Sequence, residues 1–170
     1  MKLIVNSFEK IEKVLLALSY VSLFIMMLLV FSNVISRTFL NKSINGTIEF
    51  TGEYLMVLVV YLSASYTQKK GGHINVTLLK GYLSNKGENI VNFTTNIIAA
   101  VFFIYISYIN FIKALDYIDR NRTSSGVLDY PLGPALLILS VGLFMLSLRL
   151  FIECIIILKK KTYIDNKKDG

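Results

Sequence analysis

The chain has 170 residues, of which 54% are hydrophobic and 17% are charged. Its mean hydropathy of +0.59 is too apolar for a soluble domain under a polar surface, so the composition indicates a membrane protein. The single cysteine excludes an intrachain disulfide, and one histidine is too few for a bis-histidine haem site or a zinc cluster. The net charge of +7 would favour nucleic acid in a soluble protein, but beside membrane spans basic residues act first as orientation signals, so no nucleic-acid partner is expected.

The chain opens with an amphipathic segment over about residues 1–12. Ile4, Phe8 and Ile11 recur at helical spacing between polar residues, which is typical of a helix lying in the membrane interface. The first span is predicted over residues 14–36, because about 20 apolar residues suffice to cross the hydrocarbon core. No Ala-x-Ala-like cleavage site follows it, so we expect an uncleaved anchor.

The second span is predicted over residues 48–68, which places two acidic residues on its first turns. Glu49 and Glu53 stand four residues apart and share one face of a regular helix. They can bind protons or cations, pair with a basic residue of another chain, or form a hydrated acidic helix start that favours the helix dipole. A basic pair, two glycines and the lone His73 then lead into a weakly amphipathic loop, where catalysis by His73 is not expected.

The third and fourth spans are predicted over residues 89–112 and 130–158. Asp129 is expected to cap the fourth helix, whose first turn would hold both prolines of the chain. Arg149 and Glu153 stand four residues apart near the end of this span, and we expect them to form an ion pair.

These patterns predict an all-α membrane protein with four transmembrane helices preceded by an amphipathic interfacial N-terminal helix. The helices would form one domain over residues 1–161, followed by a polar tail at 162–170. Twelve basic residues lie before the first span, between the second and third, or in the tail, and five lie on the opposite side. The positive-inside rule therefore places both termini in the cytoplasm.

The sequence contains no motif of a catalytic, cofactor-binding or metal-binding site, such as GxSxG, Walker A or HExxH. Four spans without an inverted repeat or an evident buried charge favour a scaffold over a transporter that acts alone. A second hypothesis stays open, in which a small homo-oligomeric, proton-coupled transporter uses Glu53. A membrane enzyme acting on lipid would require a polar cluster inside the bilayer, which the sequence does not indicate.

Four short segments, in this order and spacing, carry a family resemblance: SNVISRTF at the end of the first span, IEFTGEYLM at the start of the second, KKGGHINV after it and YPLGPALLILSVGLFMLSLRL in the fourth. Together they resemble the small membrane subunit of tripartite ATP-independent periplasmic (TRAP) transporters, the DctQ or SiaQ type. The absence of tryptophan departs from that family, and Phe50 and Tyr54 stand where an interfacial aromatic residue is expected.

The resemblance implies a non-enzymatic accessory subunit without a cofactor, in the bacterial inner membrane. Its partners would be membrane lipids, a large membrane subunit (M type) and a periplasmic substrate-binding protein (P type). The large subunit would hold the substrate and sodium sites and move by an elevator mechanism. The binding protein would deliver an organic acid such as a sialic acid or a C4-dicarboxylate.

Charged residues near the ends of the spans are the candidate contacts with these partners. The acidic start of the second span, the end of the first and the loop before the fourth are expected to face outward. The complete set of candidates is Arg37, Glu49, Glu53, Asp116, Asp119, Arg120, Arg122, Arg149 and Glu153.

Overall fold

Four long helices make up the protein in the computed structural model, which describes residues 2–71, 85–124, 126 and 129–166. Each helix is long and apolar enough to cross a membrane, which confirms the four predicted spans. His73 and the amphipathic loop around it lie outside the described residues. In chain order the helices are α1 (Lys2–Phe39), α2 (Thr47–Lys69), α3 (Asn85–Asp119) and α4 (Gly133–Asn166).

Helix α1 is continuous where the sequence predicted an interfacial helix followed by a separate span. It contains neither glycine nor proline, so nothing in its backbone interrupts the helix between the two predicted parts. Its 38 residues correspond to about 57 Å, well beyond the roughly 30 Å of a hydrocarbon core. In the first turns Ile11 is 51% exposed, as a lipid-facing residue would be, whereas Glu12 is buried against the other helices.

Helix α2 contains a π-helical turn close to its start. Four α-helical residues (Thr47–Phe50) lead into the π turn (Thr51–Leu55), and the helix then continues as Met56–Lys69. The amide of Met56 donates to the carbonyl oxygen of Thr51, five residues earlier. Such a turn adds a residue to the helix and rotates the side chains on either side of it relative to one another. Glu49 precedes this turn and Glu53 lies within it.

The start and end of α4 differ from the predicted limits of the fourth span. Pro131 forms an isolated antiparallel bridge with Thr123, and the helix begins only at Gly133. Asp129 therefore does not cap it, because the residues after Asp129 still belong to the loop, where Tyr130 and Leu132 hydrogen-bond to Ser124 and Arg122. At the other end the helix continues through Asn166, so part of the predicted polar tail is helical.

The helices are arranged in the spatial order α1, α2, α4, α3, and neighbours in this row provide the main packing interfaces. Small residues allow close approach, as is typical of membrane helices. Ser19 Oγ of α1 donates to the carbonyl oxygen of Val59 (2.9 Å), and Ser107 Oγ of α3 donates to that of Ser140 (2.8 Å).

The interface between α2 and α4 is close enough to require a glycine. A Cβ atom at Gly142 would lie 2.5 Å from the carbonyl oxygen of Tyr61. In the most apolar 18-residue stretch of each helix, 50% of the residues of α4 are buried. The corresponding share is 11% for α1 and 17% for α3. Helix α4 is thus the most buried helix of the bundle, while α1 and α3 present broad apolar surfaces to the outside.

Candidate functional site

Seven polar side chains connect α1, α2 and α4 at the end of the bundle where α1 begins and α2 and α4 end. We refer to them as the ionic cluster. Its members are Glu9, Glu12, Ser65, Gln68, Lys69, Arg149 and Glu153.

Glu12 is the centre of the ionic cluster, and its side chain is fully buried. Ser65 Oγ of α2 donates to Glu12 Oε1 at 2.6 Å. Arg149 Nη1 of α4 lies 3.6 Å from Glu12 Oε2, which is an ion-pair distance but too long for a hydrogen bond. Only 8% of the Arg149 side chain is exposed, so the two charges attract each other with little screening by solvent.

The rim of the ionic cluster is more exposed. Lys69 Nζ and Glu9 Oε1 form a 2.7 Å ion pair between α2 and α1. Arg149 Nε lies 3.4 Å from Glu153 Oε1, so the two residues form the ion pair that their four-residue spacing predicts. Gln68 Nε2 donates to the other oxygen of Glu153 at 2.7 Å. The ionic cluster therefore connects three helices through ion pairs and hydrogen bonds between its own members.

The sequence patterns predict no buried charge, and the burial of Glu12 and Arg149 shows that this prediction is wrong. A further pattern in the sequence does indicate the burial of Glu12, because this residue lies on one helix face with Phe8, Leu16 and Ser19 at helical spacing. A carboxylate within such a stripe indicates a partner in the bundle. The partner was not evident, because Arg149 lies on the last helix.

A second group, the tyrosine cluster, connects the start of α2 to the loop before α4; it consists of Phe50, Glu53, Tyr54, Tyr130 and Pro131. The Phe50 and Tyr54 rings stack at 5.4 Å, and the Tyr130 ring meets Tyr54 edge-on at 5.4 Å. Tyr54 donates to the carbonyl oxygen of Pro131, and Tyr130 donates to Glu53 Oε2 at 2.7 Å. Glu53 is thus engaged by the loop, although its side chain stays exposed.

Burial and the neighbouring Glu53 carboxylate raise the pKa of Tyr130, so its phenol remains a hydrogen-bond donor at neutral pH. The other predicted acidic residue, Glu49, is half-buried with its carboxylate against Gly126, where any Cβ atom would collide with it. Both acidic residues at the start of α2 therefore contact the same loop.

The end of α1 is held by the side chains of Asn33 and Ser36. Asn33 Oδ1 accepts a hydrogen bond from the amide of Ile44 at 2.8 Å, and Ser36 Oγ donates to the carbonyl oxygen of Lys42 at 2.7 Å. Arg37 is exposed in the last turn of α1, where its charge favours the helix dipole. Its guanidinium thus remains available on the surface of the protein.

The predicted acidic residues after the third span belong to the last turns of α3, because that helix continues to Asp119. Arg120 Nε and Asp116 Oδ1 form a 2.6 Å ion pair on the surface, and Asp119 is exposed. The Arg122 guanidinium lies 5.9 Å from the centre of the Tyr117 ring. These side chains form a mixed-charge surface close to the tyrosine cluster and far from the ionic cluster.

Comparison with known proteins identifies one family. Residues 26–159 match the family described as tripartite ATP-independent periplasmic transporters, DctQ component, which covers most of the chain. Neither the curated proteins nor the solved structures include a significant match.

Proposed function

The chain belongs to the DctQ family, the small membrane component of TRAP transporters, and from this premise we propose that it is a static scaffold. It would hold a large, sodium-coupled elevator subunit during uptake of an organic acid, either a sialic acid or a C4-dicarboxylate. A periplasmic binding protein would deliver that substrate. The family is one of transporter components, so an enzymatic activity is not proposed.

The observation that carries the scaffold role is the pairing of the buried charges with one another. Glu12 and Arg149 face each other between three helices, and Glu12 has no exposed side-chain surface. A substrate or ion site must open to each side of the membrane in turn, usually between helices with broken segments. The ionic cluster instead closes the bundle, and its charges stabilise the packing of α1 and α2 against α4.

The outer surfaces of the helix row support the same role. Most large apolar residues of α1 and α3 are exposed, and these two helices form the ends of the row. Lipid covers such surfaces in part, and an apolar partner in the membrane can cover the rest. The surface is therefore suited to packing beside a larger membrane subunit.

We further propose that the protein lies in the inner membrane with both termini in the cytoplasm. The unequal distribution of basic residues supports this orientation. The tyrosine cluster and the mixed-charge surface around Arg120 would then face the periplasm and meet the binding protein, together with Arg37, Glu49 and Glu53. Arg149 and Glu153 would act on the opposite side by fixing helix packing.

The test is affinity purification of the tagged chain from native membranes in mild detergent, followed by mass spectrometry and reconstitution. We expect a stoichiometric large membrane subunit and sodium-dependent uptake only when both subunits and the binding protein are present. The chain alone should transport nothing, and Glu53→Gln should not abolish uptake by the full system. A stable homodimer that transports by itself and loses this activity in Glu53→Gln would refute the scaffold and support the proton-coupled alternative.

A further inference from the structure

An open groove of about 370 Å³ runs between α1 and α2. This volume is in the range of small-molecule sites, roughly 300–1,000 Å³. The groove is distinct from the tyrosine cluster and adjoins the ionic cluster. Its apolar walls include Leu16, Tyr20, Leu23, Val59 and Tyr66.

The walls of the groove present mainly apolar surface. Besides the phenols of Tyr20 and Tyr66, three aliphatic hydroxyl groups line it. Ser19 Oγ and Ser63 Oγ both donate to the carbonyl oxygen of Val59, at 2.9 and 2.6 Å. Thr67 Oγ1 donates to the carbonyl oxygen of Ser63 at 3.0 Å. Because backbone oxygens already accept these hydroxyl protons, the groove is suited to a hydrocarbon chain rather than to a polar ligand.

One end of the groove is basic. Lys70 is exposed at the end of α2, with its ammonium 5.8 Å from the centre of the Tyr66 ring. Lys13 is also exposed, and it precedes Leu16 and Tyr20 on one face of α1 at intervals of three and four residues. Lys70 therefore lines this end of the groove, and the helical spacing of Lys13 places it on the face of α1 that leads to the same end.

The charges around this end are positive in sum. Lys10, Lys13 and Lys70 are exposed there, whereas Lys69 is paired with Glu9. The buried Glu12 and Arg149 have opposite charges and neutralise each other. An anionic head group is the complementary ligand.

We propose that this groove binds an anionic phospholipid, with one acyl chain between α1 and α2 and the phosphate between Lys13 and Lys70. The inference goes beyond the scaffold role and uses its proposed orientation, which places the basic end at the cytoplasmic leaflet. A lipid held there would fill the space between the two helices and fix their separation.

Native mass spectrometry of the delipidated complex, titrated with phosphatidylglycerol or phosphatidylcholine of equal chain length, tests the proposal. Phosphatidylglycerol should bind more tightly, and the double variant Lys13→Gln/Lys70→Gln should weaken its binding by about 30-fold at low salt. The matched control Lys42→Gln/Lys113→Gln removes two exposed lysines at the opposite end of the helices and should bind like the unmodified chain. Equal phosphatidylglycerol affinity in the two double variants would overturn the proposal.

Two further measurements test the groove itself. Ser63→Leu extends a side chain into it without changing charge, so binding of both lipids should weaken; unchanged binding of both would contradict the site. A photoreactive residue in place of Tyr20 should form an adduct with lipid in native membranes, and an adduct with the large subunit instead would overturn the proposal. Retention of the large subunit in the same spectra tests the scaffold role separately, so failure of one is distinguishable from failure of the other.

Discussion

The buried ion pair of Glu12 and Arg149 allows a quantitative test of how the bundle is held together. Glu12→Leu leaves the Arg149 charge in an environment where only 8% of its side chain is exposed. Arg149→Met leaves a fully buried carboxylate. Removing one partner of a buried pair costs about 3–5 kcal/mol, because the remaining charge loses compensation. The lower end applies to Glu12→Leu, because Arg149 keeps its 3.4 Å contact with Glu153. We expect the free energy of unfolding of each single variant to fall by an amount in this range.

The combined variant Glu12→Leu/Arg149→Met should recover most of that loss. The remaining polar groups keep other partners, since Ser65 Oγ also lies 3.3 Å from the carbonyl oxygen of Met145 and Gln68 still donates to Glu153. Replacing a whole buried ion pair by apolar side chains is often neutral or stabilising. The single losses should therefore sum to about 6–10 kcal/mol, while the double variant stays within about 1 kcal/mol of the unmodified protein.

The only cysteine of the chain provides the assay. Cys154 is buried at 4% exposure, so the rate of its reaction with a maleimide reports opening of the bundle. The midpoint of labelling in a series of detergent mixtures of rising denaturing strength gives the relative free energies of unfolding. Strictly additive losses in the double variant would refute the reasoning. The rim pair is the matched control, because Glu9→Gln/Lys69→Met should show a coupling of at most about 1 kcal/mol at 31% and 23% side-chain exposure.

Three further perturbations test other contacts. Gly142→Ala should destabilise the protein by about 1–3 kcal/mol in the same assay, because its Cβ would meet the α2 backbone, and unchanged stability would contradict so close a packing. Tyr130→Phe should cost about 0.5–1.5 kcal/mol and expose the loop before α4 to proteolysis, since Glu53 loses its donor; an equal cleavage rate would argue against this contact. Arg120→Glu/Arg122→Glu should slow uptake several-fold at low binding-protein concentration and leave assembly intact, whereas unchanged uptake would remove this surface from the docking site.

The spans could be predicted from the sequence because crossing a hydrocarbon core imposes a length and a composition that local patterns display. The residues at which the helices begin and end could not be predicted in this way. Gly133 begins α4 because Pro131 pairs with Thr123 in the preceding loop and accepts a hydrogen bond from Tyr54, which is distant in the sequence. Similarly, α3 extends to Asp119, where exposed charges tolerate a helical turn outside the apolar window.

The candidate sites were predictable only where both partners lie on one helix. Arg149 and Glu153 are four residues apart, so their proximity follows from helix geometry. Glu12 gains its importance from Ser65 and Arg149 on other helices, and no local pattern contains that information. The π turn that contains Glu53 likewise has no signal in the local sequence pattern.

The spatial order α1, α2, α4, α3 also determines how a growing chain can assemble. The first two helices meet as neighbours and can pack as soon as both are in the membrane. Helix α3 has its main interface with α4, so it cannot form that interface until α4 has been synthesised and inserted. A nascent chain halted before Gly133 would hold a completed hairpin and an unpaired third helix. The final insertion event therefore joins the two halves, and only then does Arg149 reach Glu12.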